Sequence, residues 1–341
     1  MNIENDNSRI LKICIVKLSA MGDIIHAMVA LQFIKKHLPN VTIDWIVEES
    51  FQGVLENNPH INEILPVNLK SIKKNKLEFF KQIKLLNQYA KNNYDVVLDA
   101  QGLLKSAIVS KIVGGRIIGS IISGFDKDSI REGIASWFYD RKVSIGYDQN
   151  VIKRNLELIA KSLNIEINDS DILNKEKFLF TQNELQDQSE SIIFVVGASK
   201  ENKIYPKEHF LELAQLLGEE ILVVWGNDSE LKTAQWLSSQ SNFIKTAAKG
   251  NLDDLKNIIA NAKLVIGGDT GPTHMAWALN VPSITIFGNT PEYRNTYITN
   301  INKVVKSNSK VDPFALDKND FSIKDIKVSE IVKISQELLN G

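Results

Sequence analysis

Two successive series of alternating strand and helix patterns, separated by a polar stretch, constrain this 341-residue chain more than any other feature. In the first series Ile10–Leu18 is a short β-branched run of strand character. Ile24–Leu38 follows with Ile25, Met28, Leu31, Ile34 and Leu38 at helical spacing. The same reading gives strands at Val41–Val47, Tyr94–Leu98 and Arg116–Ile121, and helices at Leu77–Lys91, Leu103–Val113, Ile130–Tyr139 and Val151–Leu163. Residues 164–190 are polar and lack a long period, which marks an interdomain segment. The second series begins at Ser191. Its strands are Ile192–Val196, Ile221–Trp225, Leu264–Ile266 and Ser283–Phe287; its helices are Pro206–Leu217, Glu230–Leu237, Leu252–Ala262 and Pro272–Leu279. Pro206 suits a first helical turn, where its missing N–H is not needed.

Strands and helices that alternate through short loops imply parallel sheets with helices on both faces. Two such series predict an α/β protein with two Rossmann-like domains whose parallel sheets face a central cleft. The expected divisions are residues 1–165, a linker at 166–190, and 191–341. Ligands of such sheets bind beyond the carboxyl ends of the strands, so the strand-to-helix loops are the places to look for chemistry.

The only cysteine, Cys14, lies within an apolar run and is read as a core residue, which leaves no disulfide framework or cysteine metal site. The amino terminus is polar and acidic, unlike a signal peptide. No stretch reaches the ~20 apolar residues of a membrane span; the nearest, Ile112–Gly124, is broken by Arg116. The chain is therefore read as cytoplasmic. A net charge of −1 argues against general nucleic-acid binding. The charge is uneven, however: residues 1–150 carry 19 basic and 16 acidic side chains, the remainder 21 and 25. The basic excess gathers at Lys70, Lys73, Lys74, Lys76, Lys81 and Lys84, either a solvated helix face or a surface for an anionic acceptor or lipid leaflet.

Three loops stand out. In Lys17-Leu18-Ser19-Ala20-Met21-Gly22-Asp23, Asp23 is either the N-cap of the next helix or a carboxylate able to take a proton from a hydroxyl. In Gly267-Gly268-Asp269-Thr270-Gly271-Pro272-Thr273-His274, the glycines admit a ligand to the backbone and the helix start suits a diphosphate. His274, one turn in, is a structural residue or a second phosphate contact. In Val196-Gly197-Ala198-Ser199-Lys200-Glu201-Asn202-Lys203, Ser199 and Lys203 could hold a diphosphate, although the stretch is not a P-loop. A strand-linked G-x-G-x-x-G is missing, which disfavours an NAD-dependent dehydrogenase. Asp126-Lys127-Asp128 and Asp169-Ser170-Asp171 fit D-x-D, a weak metal signal, and the five histidines lack zinc spacing.

Taken together, these segments resemble glycosyltransferase family nine, the lipopolysaccharide heptosyltransferases, and within it the heptosyltransferase I branch. Lys17–His26, Asp99-Ala100-Gln101-Gly102-Leu103-Leu104-Lys105-Ser106, Arg131–Tyr139 and Asp269–His274 carry the resemblance, which is loose after Phe287. It implies the two-domain GT-B fold, an ADP-heptose donor, a Kdo-lipid A acceptor, no cofactor and no metal, and a peripheral contact with the cytoplasmic face of the inner membrane. By motif, Asp23 would match the catalytic base, Ser199 and Lys203 the donor phosphate contacts, and Glu230 the acid on the adenosine ribose. Asp269, Thr270, Gly271 and His274 would match diphosphate and heptose contacts, with Lys70, Lys73, Lys74 and Arg131 on the acceptor side. Two departures are Ala198, where the family often has a hydroxyl, and Gly250, where a larger side chain can touch adenine. The implied reaction is a single inverting displacement with an oxocarbenium-like transition state. Rival readings are heptosyltransferase II, a nucleotide-sugar epimerase on the same fold, and a non-catalytic two-lobed sugar-binding protein.

Overall fold

The computed structural model describes residues 10–73, 75–115, 118–182 and 191–340. The chain divides into two compact units between Phe178 and Leu179. In the first, β1 (Lys12–Val16), α1 (Met21–Met28), α2 (Ala30–His37), β2 (Thr42–Glu48), α3 (Gln52–Leu55), β3 (Glu63–Val67), α4 (Leu77–Tyr89), β4 (Val96–Asp99), α5 (Leu104–Gly114), β5 (Ile121–Phe125), β6 (Arg141–Val143), α6 (Val151–Leu163) and α7 (Asp169–Leu173) follow one another. The sheet order is β3-β2-β1-β4-β5-β6, parallel throughout.

The second unit contains β7 (Ile192–Val195), α8 (Lys207–Leu217), β8 (Ile221–Val224), α9 (Asp228–Gln240), β9 (Ile244–Thr246), α10 (Leu252–Ala260), β10 (Leu264–Gly268), α11 (Gly271–Ala278), β11 (Ser283–Phe287), α12 (Glu292–Asn295), β12 (Asn302–Lys306) and α13 (Val328–Asn340). Its order, β12-β11-β10-β7-β8-β9, is the first sheet's order read from the other edge. Counting strands within each unit, both are 3-2-1-4-5-6, the doubly wound Rossmann order.

Local chemistry explains many boundaries. Asparagine starts helices repeatedly: the Asn150, Asn168, Asn227 and Asn251 side chains accept N–H groups from the first turns of α6, α7, α9 and α10. Asn164 and Gly218 close α6 and α8 in the left-handed conformation. Pro206 stands at the N-cap of α8, one residue before the first turn expected for it. The single helix expected at Ile24–Leu38 is two, α1 and α2, which meet at Val29. Cys14 is fully buried, and burial raises its thiol well above the ordinary value.

Two other expectations need correction. The strand expected at Arg116–Ile121 runs instead from Ile121 to Phe125, after a turn through Gly119 at positive φ; Arg116 itself lies outside the described residues. Ser123 and Gly124 disguised it, because the Tyr139 ring packs where a side chain at 124 would stand, 2.4 Å from an added Cβ. The helix expected at Ile130–Tyr139 is only a 3-10 stretch, Gly133–Phe138, since Tyr139 turns extended to reach the core. The division between the two units falls within the segment 166–190, which also contains α7. Phe178 and Leu179 are buried, and burial lowers the Lys175 ammonium to about 7. Residues 183–190 lie outside the described residues.

Candidate functional site

In a doubly wound sheet, the crevice for ligands opens where the strand order reverses, because neighbouring loops leave in opposite directions there. In the first unit this point lies between β1 and β4, and in the second between β7 and β10. Asp23, Lys203, Asp269 and His274 all sit on the loops or helix starts that follow three of these strands, β1, β7 and β10.

At the first switch point the loop after β1 is held by the loop after β4. Gln101 Oε1 accepts both Leu18 N–H and Ser19 N–H at 3.0 Å. Buried Lys17 donates its Nζ to the Ala100 carbonyl at 2.7 Å. Below them Asp99 is fully buried. It accepts Gln101 N–H and Gly102 N–H on one oxygen and the Tyr139 hydroxyl on the other, at 2.9, 3.1 and 2.7 Å. Burial raises its carboxyl pKa, against these donors.

Asp23 is not the N-cap of α1. That position is Ala20, which has no side-chain acceptor, and Asp23 is the third helical residue. Its Oδ2 reaches back to Ala20 N–H at 3.2 Å, and the side chain is half-buried. The carboxylate therefore braces the turn with one oxygen at the carboxyl end of a central strand. Nearby, Glu48 at the end of β2 donates its N–H to the Leu18 carbonyl. Its carboxyl is buried with Oε1 unpartnered; burial raises its pKa, against the opposing charges of Lys105 and Lys70.

Of the expected acceptor-side cations, Lys70 acts by its charge on Glu48. Lys70 is exposed and lies over the Phe51 ring at 4.9 Å, and Arg131 is exposed after β5. Lys74 and the Lys73 side chain lie outside the described residues. The D-x-D carboxylates have local partners: Asp126 accepts Ser129 N–H and Oγ–H, Asp169 pairs with Lys153 at 2.6 Å, and Asp171 pairs with Lys36 at 3.2 Å. Among the described residues no group of three or more His, Cys, Asp or Glu is placed to hold a metal ion.

At the second switch point Asp269 is a hub. Its Oδ2 accepts Lys203 Nζ at 2.6 Å, Thr290 Oγ1 at 3.0 Å and Asn295 Nδ2 at 3.2 Å; its Oδ1 lies 3.1 Å from His274 Nε2. Burial by itself would raise the carboxyl pKa. The charge of Lys203 and the contact with His274 outweigh it and hold Asp269 well below the usual carboxylate range. Lys203 keeps two further ammonium N–H donors beyond the one Asp269 takes. Thr270 is the N-cap of α11, and no side-chain hydrogen bond caps the helix there. Gly267 and Gly268 cannot be replaced freely. An added Cβ would stand 2.6 Å from Val195 at the first and 2.9 Å from the Lys203 carbonyl at the second.

Glu230 lies in the first turn of α9, after the second strand of this unit. Its oxygens accept Gly226 N–H and Asn227 Nδ2, each at 2.7 Å. In the dinucleotide variant of this fold, an acid near the end of the second strand binds a ribose. Gly197 makes room for it: an added Cβ would come within 2.1 Å of the Glu230 carboxyl. Ser199 is exposed on the loop after β7. Gly250 has a local reason, since an added Cβ would stand 2.8 Å from Asp254, the residue that braces the start of α10.

Sequence reading missed Gln101 as a positioning group, Glu48, and the Thr290 and Asn295 partners of Asp269. A positional rule would have found Thr290, which follows the strand next to β10.

Comparison with known proteins adds to this geometry. Residues 82–318 match the model of glycosyltransferase family 9 (heptosyltransferase). The chain is 40% identical over 96% of its length to lipopolysaccharide heptosyltransferase 1 of Campylobacter coli, covering 99% of that protein. It is 33% identical over 82% of its length to lipopolysaccharide heptosyltransferase 1 of Escherichia coli K12, covering 88% of that protein. Its fold is similar to that of the E. coli heptosyltransferase WaaC solved with ADP-2-deoxy-2-fluoro heptose. The TM-score is 0.79 and the identity 27%, covering 96% of this chain and 99% of that one.

Proposed function

This chain belongs to glycosyltransferase family 9, the heptosyltransferases, and from that premise we propose that it transfers L-glycero-D-manno-heptose from ADP-heptose to a Kdo residue of Kdo-lipid A in lipopolysaccharide inner-core assembly. The observation that carries this reading is the Asp269 hub, which holds a lysine, a histidine, a threonine and an asparagine beside an uncapped helix start at a switch point. Such an array suits a diphosphate whose negative charge grows as it leaves. Lys203 supplies the countercharge without a metal ion, while Ser199, Thr270 and the Gly271 N–H add hydrogen bonds. Glu230 takes the adenosine ribose.

Asp23 acts as the base. The acceptor hydroxyl oxygen attacks the anomeric carbon, the bond from that carbon to the phosphate oxygen breaks, and ADP departs with the electron pair. The hydroxyl proton passes to the Asp23 carboxylate, and one displacement inverts the centre. General-base help of this kind contributes ~10²–10⁴ in rate. Arg131 and the Lys70–Lys74 cations serve the anionic acceptor, which reaches the enzyme from the cytoplasmic face of the inner membrane. No helix among the described residues is long and apolar enough to cross a membrane.

The deciding experiment incubates the purified protein with ADP-heptose and Kdo-lipid A in EDTA and follows ADP release and product mass, beside Asp23→Asn. The expected result is acceptor-dependent transfer, undiminished by EDTA, that falls ~10²–10⁴-fold in the variant while donor binding persists. Donor consumption without acceptor would favour the epimerase. Transfer that survives in the variant would return Asp23 to bracing its turn, and a rate restored only by magnesium would refute the metal-free mechanism.

A further inference from the structure

The two helical layers of the first unit present different surfaces. Right-handed crossovers put helices that travel one way along a sheet on one face and those that travel the other way on the opposite face. Thus α1, α2 and α3 share a layer with α6, while α4, α5 and the Gly133–Phe138 turn share the other. No exposed large apolar side chain comes from the four helices of the first layer. The second layer exposes Leu77 and Phe80 on α4, Leu104 and Ile108 on α5, and Ile134 and Trp137 on the turn. Phe80 is 70% exposed and Trp137 76% exposed, so neither helps to fill the core. Phe79 stacks edge-on against Phe80, ring centroids 5.7 Å apart. Scattered exposed apolar residues are ordinary, but several on one layer mark a contact surface.

The same layer is basic. Lys76, Lys81, Lys84, Lys105, Lys111 and Arg131 are exposed among these apolar groups. Against them stand two acids: Glu78, paired with Lys81 at 2.6 Å, and Glu132, whose carboxylate accepts Leu104 N–H at 2.7 Å. On the outward stripe of α5, Leu104, Lys105, Ile108 and Lys111 alternate apolar and cationic within two turns.

We propose that this layer is a membrane-docking face that seats on an anionic bilayer. Phe80, Trp137 and Ile134 enter the interfacial region, where aromatic rings are favoured, and the cations meet lipid phosphates. Charge complementarity selects the bilayer over a second copy of the chain, because a symmetric dimer through this face would set the same cations against each other. The face gives the proposed lipid acceptor a place to be met, and it rests on the transferase reading in that respect alone.

The test uses the full chain and vesicles that contain no acceptor, so its failure and failure of the transferase reading are separate results. Co-sedimentation is measured with phosphatidylglycerol–phosphatidylethanolamine vesicles and with phosphatidylcholine vesicles, at low and high salt. The wild type is expected to prefer the anionic vesicles and to be partly released by salt. Phe80→Ser/Trp137→Ser should lose about tenfold in partitioning at either salt, and Lys81→Gln/Lys84→Gln should lose only the salt-sensitive part. Thermal unfolding checks that each variant is folded. Should the apolar pair compromise folding, fluorescence decides: the difference between wild type and Trp137→Phe isolates the Trp137 signal, which should shift to the blue on anionic vesicles. Binding unchanged in both double variants, or a Trp137 signal indifferent to vesicles, overturns the proposal. A dimer seen by light scattering, lost in Phe80→Ser/Trp137→Ser and unaccompanied by vesicle binding, replaces it with a second copy.

Discussion

The loops at the two switch points are tied together in the same way but with different charge. In each unit a residue that follows the fourth strand reaches over to the loop that follows the first. In the first unit the residue that reaches over is neutral: Gln101 accepts two backbone N–H groups at 3.0 Å, beside Lys17, which donates to the Ala100 carbonyl. In the second it is ionic: Asp269 accepts Lys203 Nζ at 2.6 Å and gathers three more partners. One topology therefore supports two electrostatic environments, decided by a few loop side chains. The Gln101 tie shapes the β1 loop by accepting its backbone N–H groups. The ionic tie concentrates donors and a lysine at the start of α11.

Breaking the ionic tie should have the largest effect. Asp269→Asn strips the partner from a largely buried lysine and should lower stability by ~3–5 kcal/mol in denaturant titration at neutral pH. The sign of its pH dependence follows from the depressed pKa of Asp269. The stabilisation is complete above the unfolded carboxylate value of ~4 and fades as pH falls below it. The gap between wild type and variant should therefore narrow in acid; a gap independent of pH would refute the ionic account.

Lys203→Met comes next. It removes the charge and leaves the buried Asp269 without its cation, so the variant is assayed where thermal unfolding shows it folded, and kcat should drop ~10²–10³-fold. An effect confined to KM would mean that Lys203 holds the donor without stabilising the departing diphosphate. Gln101→Leu tests the neutral tie. It leaves the Leu18 and Ser19 N–H groups without their acceptor, at ~1–3 kcal/mol in stability. If the loop matters for Asp23, kcat should fall as well, and a stable variant with full turnover would show the tie to be dispensable. The smallest effect is expected for Glu230→Ala: KM for the donor should rise about tenfold with kcat retained, as for loss of one charge-assisted hydrogen bond. Equal loss in kcat would place Glu230 closer to the reaction than the ribose.

The strands show how far a one-dimensional reading reaches. Those that were recognised in place, such as β1, β7 and β11, lie inside the sheets, are buried throughout or nearly so, and are dominated by Ile, Val and Phe. The four that were missed, β3, β6, β9 and β12, are the edges of the two sheets. An edge strand is short and partly wet, so its sequence carries Lys, Arg, Asn, Glu or Pro, as in Glu63–Val67 and Asn302–Lys306. β5 was displaced for another reason: its Ser123 and Gly124 fit against Ser162 and Tyr139, contacts that no local period announces.

By itself the sequence determined the fold class, the two-unit architecture, the family, and the loops that contain Asp23, Lys203, Asp269 and His274. These follow from hydropathy period, turn chemistry and short motifs, all of which act over a few neighbouring residues. Only the tertiary structure decided that Asp23 braces its turn from the third helical position, that Gln101 holds a loop 83 residues away, and that Thr290 and Asn295 complete the Asp269 hub. It also decided that the apolar and basic residues of α4, α5 and the Gly133–Phe138 turn form one layer. Strand order and crossover hand bring such residues together, and both arise from the packing of whole elements.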